Sequence, residues 1–455
     1  MTSLRWWQIL ASLLTSSALV SSAGAALTVD DAVRLALTQN PQIVSSKAAI
    51  LDARSGAYSA YSGVLPRISG SVTRYLSATD NQAGGRNVGG TLTQPFTSDF
   101  EIHGTNPTLT GSWNLLDLSA WAGVISARRS QSAARHSMQS SRNEVAFATR
   151  RQFYEVVKAV RLSLVADSAL RLSRDDERRV RALFEVGSVS RNDLLRAQVR
   201  TAQSELDSLT RRQSIVGQRI LLADQLGIAE ERLDEVDTSL VVARRTDELE
   251  TLVQEAGRAR PDLRSAETEL AAARANVTSA RLDYLPYVNG SASMTFNPTS
   301  RSTSTVDPPG APAIPPGVSS SESESDRETS ASIAVSMDLF NGFATQARNA
   351  SAKARLMRAQ ESRDQLQRGL RGEVRRSLLA YEAAVAGEQV ARRALEAARE
   401  SLKLAREKYN VGSATILDLI DAQVSHERAS ADVVSALAAI RVADADLDRV
   451  RGRAE

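Results

Sequence analysis

Apolar and polar residues alternate with a period of two in four stretches of this chain. From Tyr287 to Phe296, Val288, Gly290, Ala292, Met294 and Phe296 share one face, and Tyr287, Asn289, Ser291, Ser293 and Thr295 the other. Ala331, Ile333, Val335, Met337 and Leu339 oppose Ser330, Ser332, Ser336 and Asp338. Leu109, Gly111, Trp113 and Leu115 oppose Thr108, Thr110, Ser112 and Asn114, while near 66–77 Arg74 interrupts the face of Ile68, Gly70, Val72 and Leu76. This alternation predicts strands with one apolar and one wet face. Strands of about ten residues patterned in this way suit an outer-membrane β-barrel. The polar stretches 78–105 and 298–328 read as loops at the tips of two hairpins, the second holding six of the twelve prolines and the run SSSESESDRE.

Elsewhere the pattern is helical. Short helices are expected at roughly 28–63 and 246–283, with Asp30, Asp31, Asp247 and Glu248 near their starts, where negative charge suits the helix dipole. Pro66 and Pro286 open the extended segments that follow. Two stretches without proline, about 119–185 and 343–410, predict helices long enough to reach about 100 Å. Leu395, Leu402 and Tyr409 recur every seven residues, as do Ala391, Ala398 and Ala405, a coiled-coil seam with small residues for close approach. A Val-Gly-Ser turn and a shorter helix, near 190–226 or 414–451, complete each series.

The order of elements is duplicated. FEVGSVSRNDLLRAQV (Phe184–Val199) recurs as YNVGSATILDLIDAQV (Tyr409–Val424), 225 positions on, with eight of sixteen residues identical. Pro41 to Pro66 and Pro261 to Pro286 span the same 25 positions, at an offset of 220. Residues 26–240 and 241–455 thus read as two structural repeats, each a helix, a strand hairpin (66–116 or 286–340), a long helix, a turn and a helix.

Composition narrows the function. With 56 basic and 53 acidic residues the net charge is +3, which argues against a nucleic-acid-binding surface. Cysteine is absent, removing thiolate metal sites, thiol nucleophiles, disulfides and an N-terminal lipidated Cys; His103, His136 and His426 are scattered. No catalytic grouping or phosphate loop stands out, so neither an enzyme nor a cofactor is expected. Arg5, the apolar run Ile9–Val20 and Ala23-Gly24-Ala25 read as an export signal over residues 1–25, cleaved after Ala25. Later stretches are too short in apolar residues for a spanning helix.

With its paired proline segments, two strand hairpins and two Val-Gly-Ser turns followed by Asp193-Leu194 and Asp418-Leu419, the chain resembles the TolC family of outer-membrane efflux and secretion channels over nearly all its mature length. The resemblance implies a mainly α, duplicated fold in a homotrimer. Each subunit would give four strands to a twelve-stranded barrel in the outer membrane, and its helices to a periplasmic α-barrel. It implies a passive exit duct, for efflux or type I secretion, served by a periplasmic adaptor and an inner-membrane pump. Val186, Gly187, Ser188, Val411, Gly412 and Ser413 match the adaptor-docking turns. Asp193, Asp418 and Asp421 match positions at the pore constriction, although acids spaced like Asp418 and Asp421 also form ordinary solvated helix faces. Some members carry an Arg two residues after the second turn glycine, bonded towards the first turn; Ala414 stands there, which leaves Arg191 or Arg196 as substitutes. The alternative reading is a periplasmic adaptor or another soluble coiled-coil scaffold.

Overall fold

The computed structural model describes residues 26–75, 79–88, 91–240, 244–306 and 320–453. The expected export signal lies outside them. The chain forms two compact units, one of residues up to Lys47, Met138–Pro261 and from Gln367, the other of Ala48–Ser137 and Asp262–Leu366.

In the first repeat, α1 (Val29–Gln39) and α2 (Pro41–Ser62) precede β1 (Arg67–Tyr75), β2 (Thr79–Val88) and β3 (Thr91–Leu116), then α3 (Leu118–Glu185) and α4 (Arg191–Leu226). In the second, α5 (Leu249–Ala259) and α6 (Pro261–Leu282) precede β4 (Tyr287–Val306), β5 (Ser320–Ser336), α7 (Ala344–Asn410) and α8 (Ile416–Val450). None of the described helices is long and apolar enough to cross a membrane.

Two expectations need correction. The helices expected at 28–63 and 246–283 are each broken in two, at Asn40 and Arg260, whose ψ angles of 132° and 121° are extended. The cause is the proline that follows each. Its ring disfavours helical geometry in the residue before it, and it brings no N–H to continue the ladder. At the first break Asn40 bonds both ways: its Oδ1 accepts from the Gln42 N–H (2.8 Å) and its Nδ2 donates to the Gln225 carbonyl (2.7 Å). The second correction concerns the stretches 78–105 and 298–328, expected as loops. β2 and most of β3 occupy the first, and β4 and β5 run far into the second. Ladder hydrogen bonds come from the backbone, so Ser- and Thr-rich segments pair without the alternation that would reveal them.

All strand pairings in the sheet are antiparallel, in the order β1-β3-β4-β5, with β2 on the remaining length of β3. The repeats meet at β3 and β4, where Leu109 stands opposite Met294 and Trp113 opposite Gly290. Register puts Ile68, Leu109, Trp113, Met294 and Ile333 on one face, and Thr110, Ser293 and Ser330 on the other. On that apolar face Ile68, Val72 and Ile333 are more than two-thirds exposed. The indole N–H of Trp113 and the amide of Asn114 donate to the carbonyls of Val64 and Gly63, docking the end of α2 onto β3.

The helical unit has two matching cores. Ala32, Ala36, Val145, Val156 and Leu222 lie in one; Leu252, Ala256, Leu370, Tyr381 and Leu447 lie in the other. The offsets are the two seen in the sequence: 256 − 36 = 220, 370 − 145 = 225 and 447 − 222 = 225. The duplication therefore reaches the packing. It also reaches Gly227 and Gly452 (452 − 227 = 225), both with φ near +75° and both seated against the helix break, Gly227 on Gln39 and Gly452 on Ala259 and Arg260.

Candidate functional site

Both Val-Gly-Ser turns end their long helices in the same way. The N–H of Gly187 reaches the Phe184 carbonyl (2.9 Å) and that of Ser188 the Leu183 carbonyl (2.8 Å). Gly412 and Ser413 repeat the pattern on Tyr409 (3.1 Å) and Lys408 (2.9 Å). This closure satisfies the last helical carbonyls and needs a left-handed residue. Gly187 and Gly412 supply it at φ +76°, with open space where a Cβ would stand. The closure pushes the preceding valines outward, leaving Val186 73% and Val411 78% exposed.

The next helices start on capping boxes. Ser190 Oγ accepts from the Asp193 N–H while Asp193 Oδ2 accepts from the Ser190 N–H (3.1 Å) and hydroxyl (2.8 Å). Thr415 and Asp418 do the same at 2.8 and 2.7 Å. Asp193 and Asp418 are thus engaged in starting their helices, a role legible in Ser-x-x-Asp and Thr-x-x-Asp but not drawn from the sequence above. The Thr415 hydroxyl, then its backbone N–H, holds the Asp418 carboxyl below the usual aspartate range. A depressed carboxyl contributes stability above its ordinary pKa and loses it as pH falls through the folded value. Asp418→Ala is therefore expected to speed amide exchange at Thr415, whose N–H the carboxylate accepts, severalfold at neutral pH, with the difference closing in acid. Equal rates at pH 7 would remove the capping role. Asp421, one turn further, is exposed and belongs to neither box; it shares a groove between α7 and α8 with Glu400, Lys408 and Asp418.

Beneath the turns the two helical hairpins are packed together. Val180 and Ala197 of the first are buried with Ile416 and Leu419 of the second, with Tyr409 and Leu402 against them. Arg191 and Arg196 are exposed. The polar ties lie elsewhere. Arg200 of α4 pairs with Glu427 of α8 at 2.5 Å. Buried Asp176 of α3 accepts a hydrogen bond from Gln423 of α8 and lies near Arg406 of α7 (3.6 Å) and Arg179 (3.5 Å). Burial pushes the Asp176 carboxyl above its ordinary value despite those two cations. Gln423 is repeated as Gln198, but Ser401 stands where the repeat of Asp176 would fall (176 + 225), so this tie exists once per chain.

The sequence matches the family model described as outer membrane efflux protein over residues 32–239 and 252–453, nearly the whole chain. The chain belongs to the outer membrane efflux protein family. That is a family of channels rather than enzymes, and its members work at the outer membrane. Solved structures agree on the fold, which is TolC-like. The Campylobacter jejuni CmeC outer membrane channel aligns with a TM-score of 0.73 at 16% identity, covering 94% of this chain and 86% of that one. The Vibrio cholerae outer membrane protein VceC gives 0.72 at 17%, covering 93% and 96%. The open state of the Neisseria gonorrhoeae MtrE outer membrane channel gives 0.68 at 18%, covering 93% and 88%. No curated protein matches the chain by sequence. Among the described residues no cluster of His, Asp and Glu is arranged to hold a metal ion.

Proposed function

We propose that this protein is the outer-membrane exit duct of a tripartite efflux pump or a type I secretion system. Three copies would close their sheets into one barrel, and their helical hairpins would serve the periplasmic side. The observation that carries this reading is the strand path β1-β3-β4-β5, which leaves an outer edge on β1 and on β5 among the described residues and an exposed apolar face. Four strands cannot close a barrel. Two copies would make eight, whose interior side chains fill; three make twelve and leave a passage. Closure also removes both edges.

The exposed valines of the two Gly turns give an adaptor protein equivalent contacts, two per subunit, with Gly187, Ser188, Gly412 and Ser413 shaping the backbone there. Asp421 is the carboxylate that capping leaves free; with its copies, and with Asp193 and Asp418 close by, it would line the constriction and favour cations. Native mass spectrometry of detergent-purified protein is expected to give three copies. Val186→Asp combined with Val411→Asp is expected to keep the trimer and its planar-bilayer conductance while abolishing adaptor capture. In the same recordings Asp421→Ala is expected to weaken block by multivalent cations. A mature chain that fractionates as a soluble monomer would overturn the duct and favour a periplasmic scaffold.

A further inference from the structure

Leu27 is held firmly although it stands just ahead of the first helix. It forms a parallel bridge with Val236: its N–H donates to the Glu235 carbonyl (2.6 Å), and its carbonyl accepts from the Asp237 N–H (3.0 Å). Its side chain packs against the core that contains Leu222, Leu226, Leu233 and Val236. Thr28 then caps α1 by accepting from the Asp31 N–H, and Ala32 and Ala36 on that helix are fully buried. The receiving segment, residues 227–240, is fixed in turn. Arg219 of α4 donates to the Leu233 carbonyl (2.9 Å), and Arg161 of α3 gives two hydrogen bonds to the Thr238 carbonyl (3.0 and 2.7 Å). Leu27 therefore moves with the end of α4.

The cut expected after Ala25 lies two positions before this seat. Until it is made, the chain stays tied to the inner membrane through the apolar run Ile9–Val20. Seven Cα steps lead from Val20 to Leu27, about 25 Å when fully extended. The other direction is longer. Leu27 packs at the end of α4 that carries Leu222 and Leu226, and the 36 residues of that helix place the Val-Gly-Ser turn about 54 Å away.

These lengths conflict. With the turns directed towards the inner membrane, an upright chain needs at least about 54 Å between that membrane and Leu27, about 30 Å more than the uncut tether can reach. Opening the Leu27 bridge would not resolve this, because α1 begins two residues later and its buried alanines hold it to the same core. Only a tilted chain satisfies the tether. Chains tilted against the membrane cannot share a threefold axis along its normal.

We propose that the Leu27 seat makes removal of the signal the step that permits trimer assembly. The uncut chain folds its helical unit but stays tilted and monomeric. Water then adds across the Ala25–Ala26 peptide bond, catalysed by the host's signal-cleaving protease, leaving a carboxylate on Ala25 and an ammonium on Ala26. The released chain stands and closes with two others. This rests on the export signal and on the duct reading above.

The test uses the full-length chain, expressed in a bacterial host with its own signal. Ala25→Leu removes the small residue that cleavage requires. Inserting five or forty polar residues without small side chains ahead of Ala26 then gives tethers of about 43 or about 170 Å. Native mass spectrometry of detergent extracts reads the trimer. Ala25→Leu is expected to lose it, alone and with the shorter insert, and to regain it with the longer one although the signal is still attached. A trimer with the shorter insert, or none with the longer, overturns the proposal; a trimeric wild type then leaves the duct reading standing. A wild type that is not trimeric removes the duct reading first. N-terminal sequencing of the wild type is expected to begin at Ala26, and any other start removes the cut site and the proposal with it. Leu27→Cys with Val236→Cys, in a chain without native cysteine, reports on the seat itself. Their disulfide is expected in the uncut chain as in the cut one. A bond found only after cutting shows that the uncut chain is unfolded rather than tilted, and overturns the proposal.

Discussion

Gly227→Ala is expected to destabilise the helical unit by about 2–5 kcal/mol, combining about 1–2 for a left-handed alanine with about 1–3 for overpacking. Gly227 sits at φ +74°, and a Cβ built there would lie 2.6 Å from the Gln39 carbonyl oxygen and 3.0 Å from its carbon. Neither atom can swing aside, because both are backbone at the break between α1 and α2. Asn40, the next residue, is itself bonded to the Gln225 carbonyl. Relief would require pulling α4 away from the break and opening a core in which Ile43, Leu222 and Leu226 are fully buried. Gly452→Ala is expected to act in the same direction but less strongly, its nearest contact being 3.0 Å. Gly217→Ala is the control, since nothing lies within 4 Å of its Cβ position and it is inside α4, where alanine is the better helix former. Chemical unfolding midpoints of the three variants check this. Equal midpoints for Gly227→Ala and Gly217→Ala would refute the packing.

The second large effect is expected from Arg245→Ala. Arg245 follows the first repeat and reaches Asp448 at 2.8 Å and Asp444 at 3.2 Å on α8, while its backbone N–H donates to the Tyr381 hydroxyl. Removing one partner of a buried pair costs about 3–5 kcal/mol. The Arg245 side chain is one-third exposed, so about 2–3 kcal/mol is expected at neutral pH. Burial holds the Asp444 carboxyl above the usual aspartate range, and Arg245 is the largest influence opposing that rise. Without Arg245 the carboxyl rises further. A carboxyl raised in the folded state favours folding when protonated and loses that contribution as pH rises through its folded pKa. The cost of Arg245→Ala should therefore be small in acid and grow towards neutrality, with Arg245→Lys recovering part of it. Unfolding midpoints between pH 4 and pH 8 provide the measurement; a loss independent of pH would rule out the charge pairing.

Several structural features could be read from residue order. The long helices, the Gly turns and the apolar alternation of the inner strand segments are consequences of local spacing and backbone preference, and so is the duplication. The helix break at Asn40-Pro41 was missed, a single helix over 28–63 being expected, although the geometry before proline is local and the residues were there to read; its consequence, the seat for Gly227, has no local signal. The capping boxes on Asp193 and Asp418 show why a site residue is hard to interpret from type alone. An acid at that position serves its own helix first, and whether it also faces a pore depends on neighbours that no local pattern names.

Strand extent escaped the pattern because polar residues on both faces leave no periodic trace, although the backbone ladder forms regardless. The ties beneath the turns escaped for another reason. Asp176 and Gln423 are 247 positions apart, and the repeat that predicts Gln198 from Gln423 fails at Ser401. Periodicity and turn chemistry act between near neighbours in the chain, so residue order alone settles the repeats, the long helices and their turns, and the inner strands. Which carboxylate is buried, which arginine meets it, and which glycine touches another segment's backbone depend on separations of about a hundred residues or more. Those pairings were decided only when packing brought the elements together, because contact energy follows distance in space and not position along the chain.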